Sequence, residues 1–155
     1  MGRLFVSLIQ SDFGGDHKNF EAVVLEGRDL WHWWRDNSST GQPWRRGQRI
    51  VADQAAFAGS IIQSDFRSGD HGNFEVVVPL FQSGGNVELW HFWHDNSDVS
   101  KPWRRGQRVT EPGRRIFGSS SIIQSDFRSS DHSNFEIAVP VINDQGRRRT
   151  ASLLA

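Results

Sequence analysis

Three adjacent Asp-His pairs, Asp16-His17, Asp70-His71 and Asp131-His132, are the first residues to suggest chemistry. A carboxylate that orients an imidazole can serve as an acid–base pair. Neighbours on a strand or turn point in different directions, however, and a catalytic dyad has no reason to be printed three times. The pairs read first as turn or sheet-connecting hydrogen bonds, ahead of repeated cation or ligand contacts and of catalysis. The Ser of each Gln-Ser-Asp-Phe lies in no Gly-x-Ser-x-Gly elbow. No phosphate loop, dinucleotide glycine pattern or calcium loop is present. With no Cys, zinc-thiolate sites, disulfides and thiol nucleophiles are excluded. The expectation is a protein that is not an enzyme and uses no cofactor or metal.

The aromatic block is the stronger candidate. A sugar ring offers an apolar C–H face that stacks on indole, and its hydroxyls need Asp, Asn, Arg or His partners. Trp31, Trp34, Arg35 and Asp36 supply that mixture, as do Trp90, Trp93, His94 and Asp95. Trp44-Arg45 and Trp103-Arg104 follow each block, with Trp31 to Trp44 and Trp90 to Trp103 both 13 residues apart. Some of these indoles must be core. Trp34 and Trp93 are the expected stacking platforms, and the Arg35/His94 difference implies unequal clefts.

These residues sit in a repeat. Ser7-Leu8-Ile9-Gln10-Ser11-Asp12-Phe13 returns at Ser60–Phe66 and again at Ser121–Phe127, offsets of 53 and 61 residues. An Asn-Phe-Glu block follows each copy, and the aromatic and Pro-Trp-Arg-Arg-Gly-Gln-Arg blocks occur twice. Each repeat reads as four short strands. Leu8–Phe13 and its copies form the first; Phe20–Leu25, Phe74–Leu80 and Phe135–Val141 form the second. The aromatic block is the third, and a stretch ending near Val51 or Val109 is the fourth. Thr150–Ala155 is expected as the third strand of the last repeat, whose fourth is missing. No segment carries a helical stripe. Gln82–Asn86 and Glu26–Arg28 are loops. Repeat boundaries fall at 1–59, 60–120 and 121–155.

In the third strand Leu89, His91 and Trp93 point one way and Trp90, Phe92 and His94 the other. Large apolar groups on both faces require a sheet covered on both sides. The expected fold is all-β: a β-propeller of four-stranded antiparallel blades, about two and a half to three per chain.

The combination Ser-x-Ile-Gln-Ser-x-Phe, Asn-Phe-Glu-Val-Val-Val, Leu-Trp-His-x-Trp-x-Asp-Asn and Pro-Trp resembles the blade repeat of bacterial lectin-like β-propellers of the Photorhabdus type. The resemblance runs from Ser7 to about Val141. It implies a ring of blades with sugar pockets between neighbours. Fewer than three complete blades cannot close a ring, so closure by a homo-oligomer, a dimer first, is expected. A fragment of a longer or engineered propeller is the other escape.

Charge narrows the partners. Eighteen basic residues cancel 18 acidic ones, which disfavours nucleic acid. No apolar run is long enough to span a bilayer, and the N-terminus reaches Gln10-Ser11-Asp12 too soon to hold a signal sequence. The Arg147–Ser152 stretch is similar to a basic-directed kinase site but reads better as a solubilised edge. The expected function is non-catalytic carbohydrate binding in clefts between blades. The alternatives are a protein-interaction scaffold or a fragment without activity of its own.

Overall fold

A computed structural model of the chain describes residues 4–111, 114–128, 133–142 and 148–154. They form twelve strands: β1 (Leu4–Gln10), β2 (Phe20–Glu26), β3 (Asp29–Arg35), β4 (Arg45–Val51), β5 (Ser60–Gln63), β6 (Phe74–Phe81), β7 (Val87–His94), β8 (Arg104–Arg108), β9 (Arg115–Ile116), β10 (Ser121–Arg128), β11 (Ser133–Ile142) and β12 (Arg148–Leu154). The fold is all-β. β1 to β4 make one antiparallel sheet in chain order and β5 to β8 a second. In the third sheet β10, β11 and β12 run side by side, and β9 joins the edge of β11.

The strands fall close to their expected places, with two differences. In the first two repeats the Gln-Ser-Asp-Phe motif leaves the sheet early, so β1 ends at Gln10 and β5 at Gln63, whereas β10 runs through its copy to Arg128. The cause is local: Ser11 N–H donates to Asn19 O and Ser64 N–H to Asn73 O, closing a loop that re-enters the second strand. β9 was not foreseen. It pairs with Val141 and Ile142 at the far end of β11, as Ala55 pairs with Leu80 at the far end of β6. In both places the chain enters a sheet beside its second strand before reaching the first strand. The third strand of the last repeat is β12, and its expected last residue, Ala155, lies outside the described residues.

Burial follows from strand alternation. On β6, Phe74, Val76, Val78 and Leu80 pack against Val23, Leu30, Ile50 and Val51 of the first sheet. Val77 packs the opposite way, with Val87 and Leu89, against Ile122, Ile137 and Val139 of the third. Seven consecutive β6 residues, Phe74 to Leu80, are buried. A run without a polar face belongs to a strand covered on both sides, and each such Val or Leu contributes about 1.5–3 kcal/mol. The sheets approach one another through their early strands: β1 lies near β5, and β5 near β10.

Polar latches cross both seams. Gln63 Oε1 accepts from Asp12 N–H at 2.8 Å while its Nε2 donates to Asp12 Oδ1 at 2.6 Å. Gln124 repeats the arrangement on Asp65, accepting from its N–H at 2.8 Å and donating to its carboxylate. The Ser7 hydroxyl accepts from Ile61 N–H at 3.1 Å and that of Ser60 from Ile122 N–H at 3.4 Å. Replacing Gln63 by Ala is expected to destabilise the chain by about 1–3 kcal/mol in urea titrations, the cost of unpaired half-buried groups. Gln63→Glu should cost more, because it turns a carboxylate toward Asp12 where a donor stood.

Candidate functional site

The two faces of the aromatic strands separate residues that the sequence grouped together. On β3, Trp34 pairs with Glu21 and His32 with Val23, on the face that meets the second sheet. Trp31 and Trp33 lie with Ala22 and Val24 on the opposite, outer face, where Trp44 joins them. Arg35, paired with Phe20, shares that outer face; its guanidinium stands 5.6 Å from the Phe20 ring and its Nε is buried without a partner. Trp31, Arg35 and Trp44 therefore do not share a cleft with Trp34. The outer indole of Trp31 is covered by Arg46 at 3.5 Å.

Repeat equivalence turns this split into a seam. The second-sheet counterparts of Arg35 and Trp44 are His94 and Trp103, and they face the first sheet. A pocket of about 370 Å³ lies between the two sheets. Phe13, Asn19, Glu21, His32, Trp34 and Gln48 line it from the first sheet and its loops. Phe74, His94, Asn96, Val99 and Trp103 line it from the second. Of the sequence candidates, Trp34, His94 and Trp103 thus meet in one pocket. Arg45 backs Trp34, its guanidinium 4.9 Å from the ring. Trp93 shares its strand face with His91 and Leu89, the face that meets the third sheet, with Arg104 5.1 Å from its ring; on that face Phe135 packs with His91 and Phe66. Trp90 packs against the core between the first two sheets, under Arg105 at 3.7 Å.

Asp36 and Asp95 close turns rather than line the pocket. Asp36 accepts from Ser38 N–H at 2.8 Å, and this bond holds its carboxyl below the ordinary value. Asp95 accepts from Lys101 Nζ at 2.6 Å, from the Ser68 hydroxyl at 2.7 Å and from Ser97 N–H at 3.0 Å. Those donors, Lys101 first, hold its carboxyl well below the usual carboxylate range. Of the Asp-His pairs, Asp70-His71 places its imidazole on a carboxylate distant in the chain. His71 Nδ1 bonds Asp12 Oδ1 at 2.8 Å, across the seam, and its ring stacks on Phe13 at 3.9 Å. Asp16 and His17 lie in a 3-10 turn, where the His17 carbonyl accepts from Asn37 Nδ2. Asp131-His132 and Arg147 lie outside the described residues.

The buried polar centre was missed by the sequence candidates. Glu21, 2% exposed, accepts from the Ser11 hydroxyl at 2.8 Å with Oε1 and bonds His32 Nε2 at 2.8 Å with Oε2. Glu75 repeats this with Ser64 at 3.0 Å and His91 at 2.7 Å. The signal was a Glu at the same point of an otherwise apolar strand, three positions after an Asp-His pair's Lys or Gly in the first two repeats. In these relays the carboxylate is central. The hydroxyl bonds the carboxylate and not the imidazole, so His32 is not placed to take the Ser11 proton. That order builds a wall and does not activate a nucleophile.

Other polar groups shape the pocket. His94, 5% exposed, places Nδ1 2.7 Å from Asn96 Oδ1 and Nε2 2.7 Å from Lys101 O. Gln48 Nε2 donates to Val99 O and Lys101 O, both at 2.9 Å, tying β4 to the loop after β7. Asn19 carries a buried Oδ1 without a hydrogen-bond partner. Among the described residues no three His, Asp or Glu side chains converge as a cation site.

Gly47 explains the glycine of the Arg-Arg-Gly-Gln motif. A Cβ there would lie 2.9 Å from His32 Nδ1; at Gly106 it would lie 2.6 Å from His91 Nδ1. Each glycine leaves room for the imidazole that its Glu holds. Gly47→Ala is expected to force His32 off Glu21 and cost about 1–3 kcal/mol by overpacking. Gly106→Ala should cost at least as much, as read from thermal or urea midpoints.

No protein-family model and no curated protein matches this chain. Among solved structures, the C-terminal domain of YpeB from Bacillus megaterium aligns with 98% of this chain and 90% of its own. The identity is 9% and the TM-score 0.23, a level of likeness that carries no argument about fold or function.

Proposed function

We propose that this chain is a non-catalytic, lectin-like carbohydrate-binding protein whose sites lie between adjacent sheets, the sheets being blades of a β-propeller. The observation that carries the reading is the pocket between the first two sheets, with Trp34 on one wall and Trp103 on the other. Its size falls in the range of small-ligand sites, and its lining is aromatic with a few convergent polar groups. Trp34 is half-buried and backed by Arg45, so its indole is held in place as a platform for the C–H face of one sugar ring. Asn19, whose Oδ1 has no hydrogen-bond partner, lines the same pocket and is the candidate partner for a ring hydroxyl, while Gln48 Nε2 is already held by Val99 O and Lys101 O. Glu21 and His32 already satisfy each other, and the polar relay has no nucleophile in reach of a base; both favour binding over turnover.

The propeller reading draws support from the covered middle sheet and from the approach of the sheets through β1, β5 and β10. Repeated pockets would make binding to a glycan surface multivalent, so weak single sites would gain avidity. Balanced charge argues against a polyanionic partner. Among the described residues no helix is long and apolar enough to cross a membrane.

The test is titration with free monosaccharides, followed by Trp fluorescence and calorimetry. Trp34→Ala is expected to weaken binding about tenfold or more, roughly 1.4 kcal/mol, with an unchanged unfolding midpoint. Trp103→Ala should instead destabilise the fold by about 3 kcal/mol, because its ring packs with His32, Phe74 and His94. Unchanged sugar affinity in folded Trp34→Ala would remove the platform assignment. No response to any sugar would remove the function.

A further inference from the structure

The two end sheets expose the two halves of the seam that the chain already builds twice. At the seam between the first and second sheets, Ile61 of β5 is 1% exposed; at the next, Ile122 of β10 is 3% exposed. Their repeat equivalent on β1 is Leu8, which is 59% exposed. The covering side behaves in the mirror sense. Ile9 packs against the core of the first seam and Ile62 against that of the second. Their equivalent on β10, Ile123, is 57% exposed.

The polar latches are open at the same two places. Gln63 and Gln124 each bridge to an Asp of the preceding sheet, whereas their equivalent Gln10 is exposed. Ser7 and Ser60 each accept a backbone N–H from the following sheet, whereas their equivalent Ser121 is exposed. Along β1 the first sheet therefore presents an unfilled copy of the strand that β5 and β10 bury, beside an outer face whose Ala22, Val24 and Trp33 are packed with Trp31 and Trp44, and the third sheet presents along β10 an unfilled copy of the strand that covers them.

We infer that a second copy of this chain docks head to tail, its third sheet laid on the outer face of the first sheet, with Leu8 and Gln10 meeting Ser121 and Ile123. The occupant is a second copy because that copy exposes the matching half, residue for residue of the repeat. Such a contact is heterologous: it uses two different patches, and it closes or propagates according to its rotation. Two copies bring six sheets together, inside the roughly four to eight blades of a propeller, so a closed dimer is expected. The head-to-tail contact rests on the stacking of the sheets, its closure as a dimer on the propeller reading proposed above, and neither on what the pocket binds.

Native mass spectrometry and light scattering test it with the full chain. The wild type should have twice its 17.7 kDa mass. Leu8→Arg and Ile123→Arg each alter an exposed side chain, and each alone should give a monomer with an unchanged circular dichroism spectrum. Mixing the two variants should restore a heterodimer, because the intact tail of Leu8→Arg meets the intact head of Ile123→Arg. A monomeric wild type overturns the proposal. So does a dimer that survives Leu8→Arg, or one that Ile123→Arg leaves intact, since a face-to-face pairing of first sheets would not use Ile123. If either variant fails to fold, the wild-type mass and the other variant decide. Sugar titration of the monomeric variants separates this outcome from the pocket assignment, because Trp34 and Trp103 lie at an internal seam.

Discussion

β6 has no face to give to water. Its residues from Phe74 to Leu80 are all buried, alternating between a core shared with the first sheet and a core shared with the third. A four-stranded sheet carrying such a strand cannot stand alone, because exposing either face would return several Val side chains to solvent. The stacked order of the sheets follows from that one strand. Gln63 and Gln124 then set the register between sheets, since each amide must meet both the N–H and the carboxylate of a single Asp. Apolar contact alone would let the sheets slide; a two-point amide contact fixes one alignment.

The pocket is a by-product of that stacking. Where two flat apolar sheets meet fully, no cavity remains. Here the Glu21–His32 and His94–Asn96 pairs line the gap itself, and polar side chains bound to one another cannot interdigitate as Val does. The Gln48 amide holds the loop after β7 on β4, which keeps the seam closed at its rim. Indoles from both sheets line the gap left between core and rim.

Much of this was legible in the sequence. The repeated blocks located nearly every strand, and alternation along Leu89–His94 implied two covered faces, which the burial of Leu89 and Phe92 matches. Alternation also held the answer for the site. Trp31 and Arg35 differ in parity from Trp34, so one cleft could not hold all three. Which face of one repeat meets which face of the next is a tertiary fact, and no single strand encodes it. The same reason hid the partner of His71. Its carboxylate neighbour in sequence is Asp70, but the loop directs the ring to Asp12 of the preceding sheet, 59 residues away. β9 was invisible because two residues carry no periodicity.

The Ser–Glu–His relay shows how a repeat can carry catalytic residue types without catalytic order. Ser11, Glu21 and His32 come from a loop, a second strand and a third strand, and the copy at Ser64, Glu75 and His91 does the same. A Ser-His-acid triad needs the imidazole between hydroxyl and carboxylate, so that the base takes the proton and the acid stabilises the resulting charge. Here the carboxylate holds the middle because Glu21 faces Trp34 and lies two residues from Val23, on the same face of β2, where Val23 is the partner of His32 across the β2–β3 ladder. The Ser loop reaches only as far as the second strand. The hydroxyl–imidazole–carboxylate order is therefore excluded for these three residues by strand register. What register does permit is a buried polar wall, Glu21 held by Ser11 and His32, directly across the ladder from the Trp34 indole.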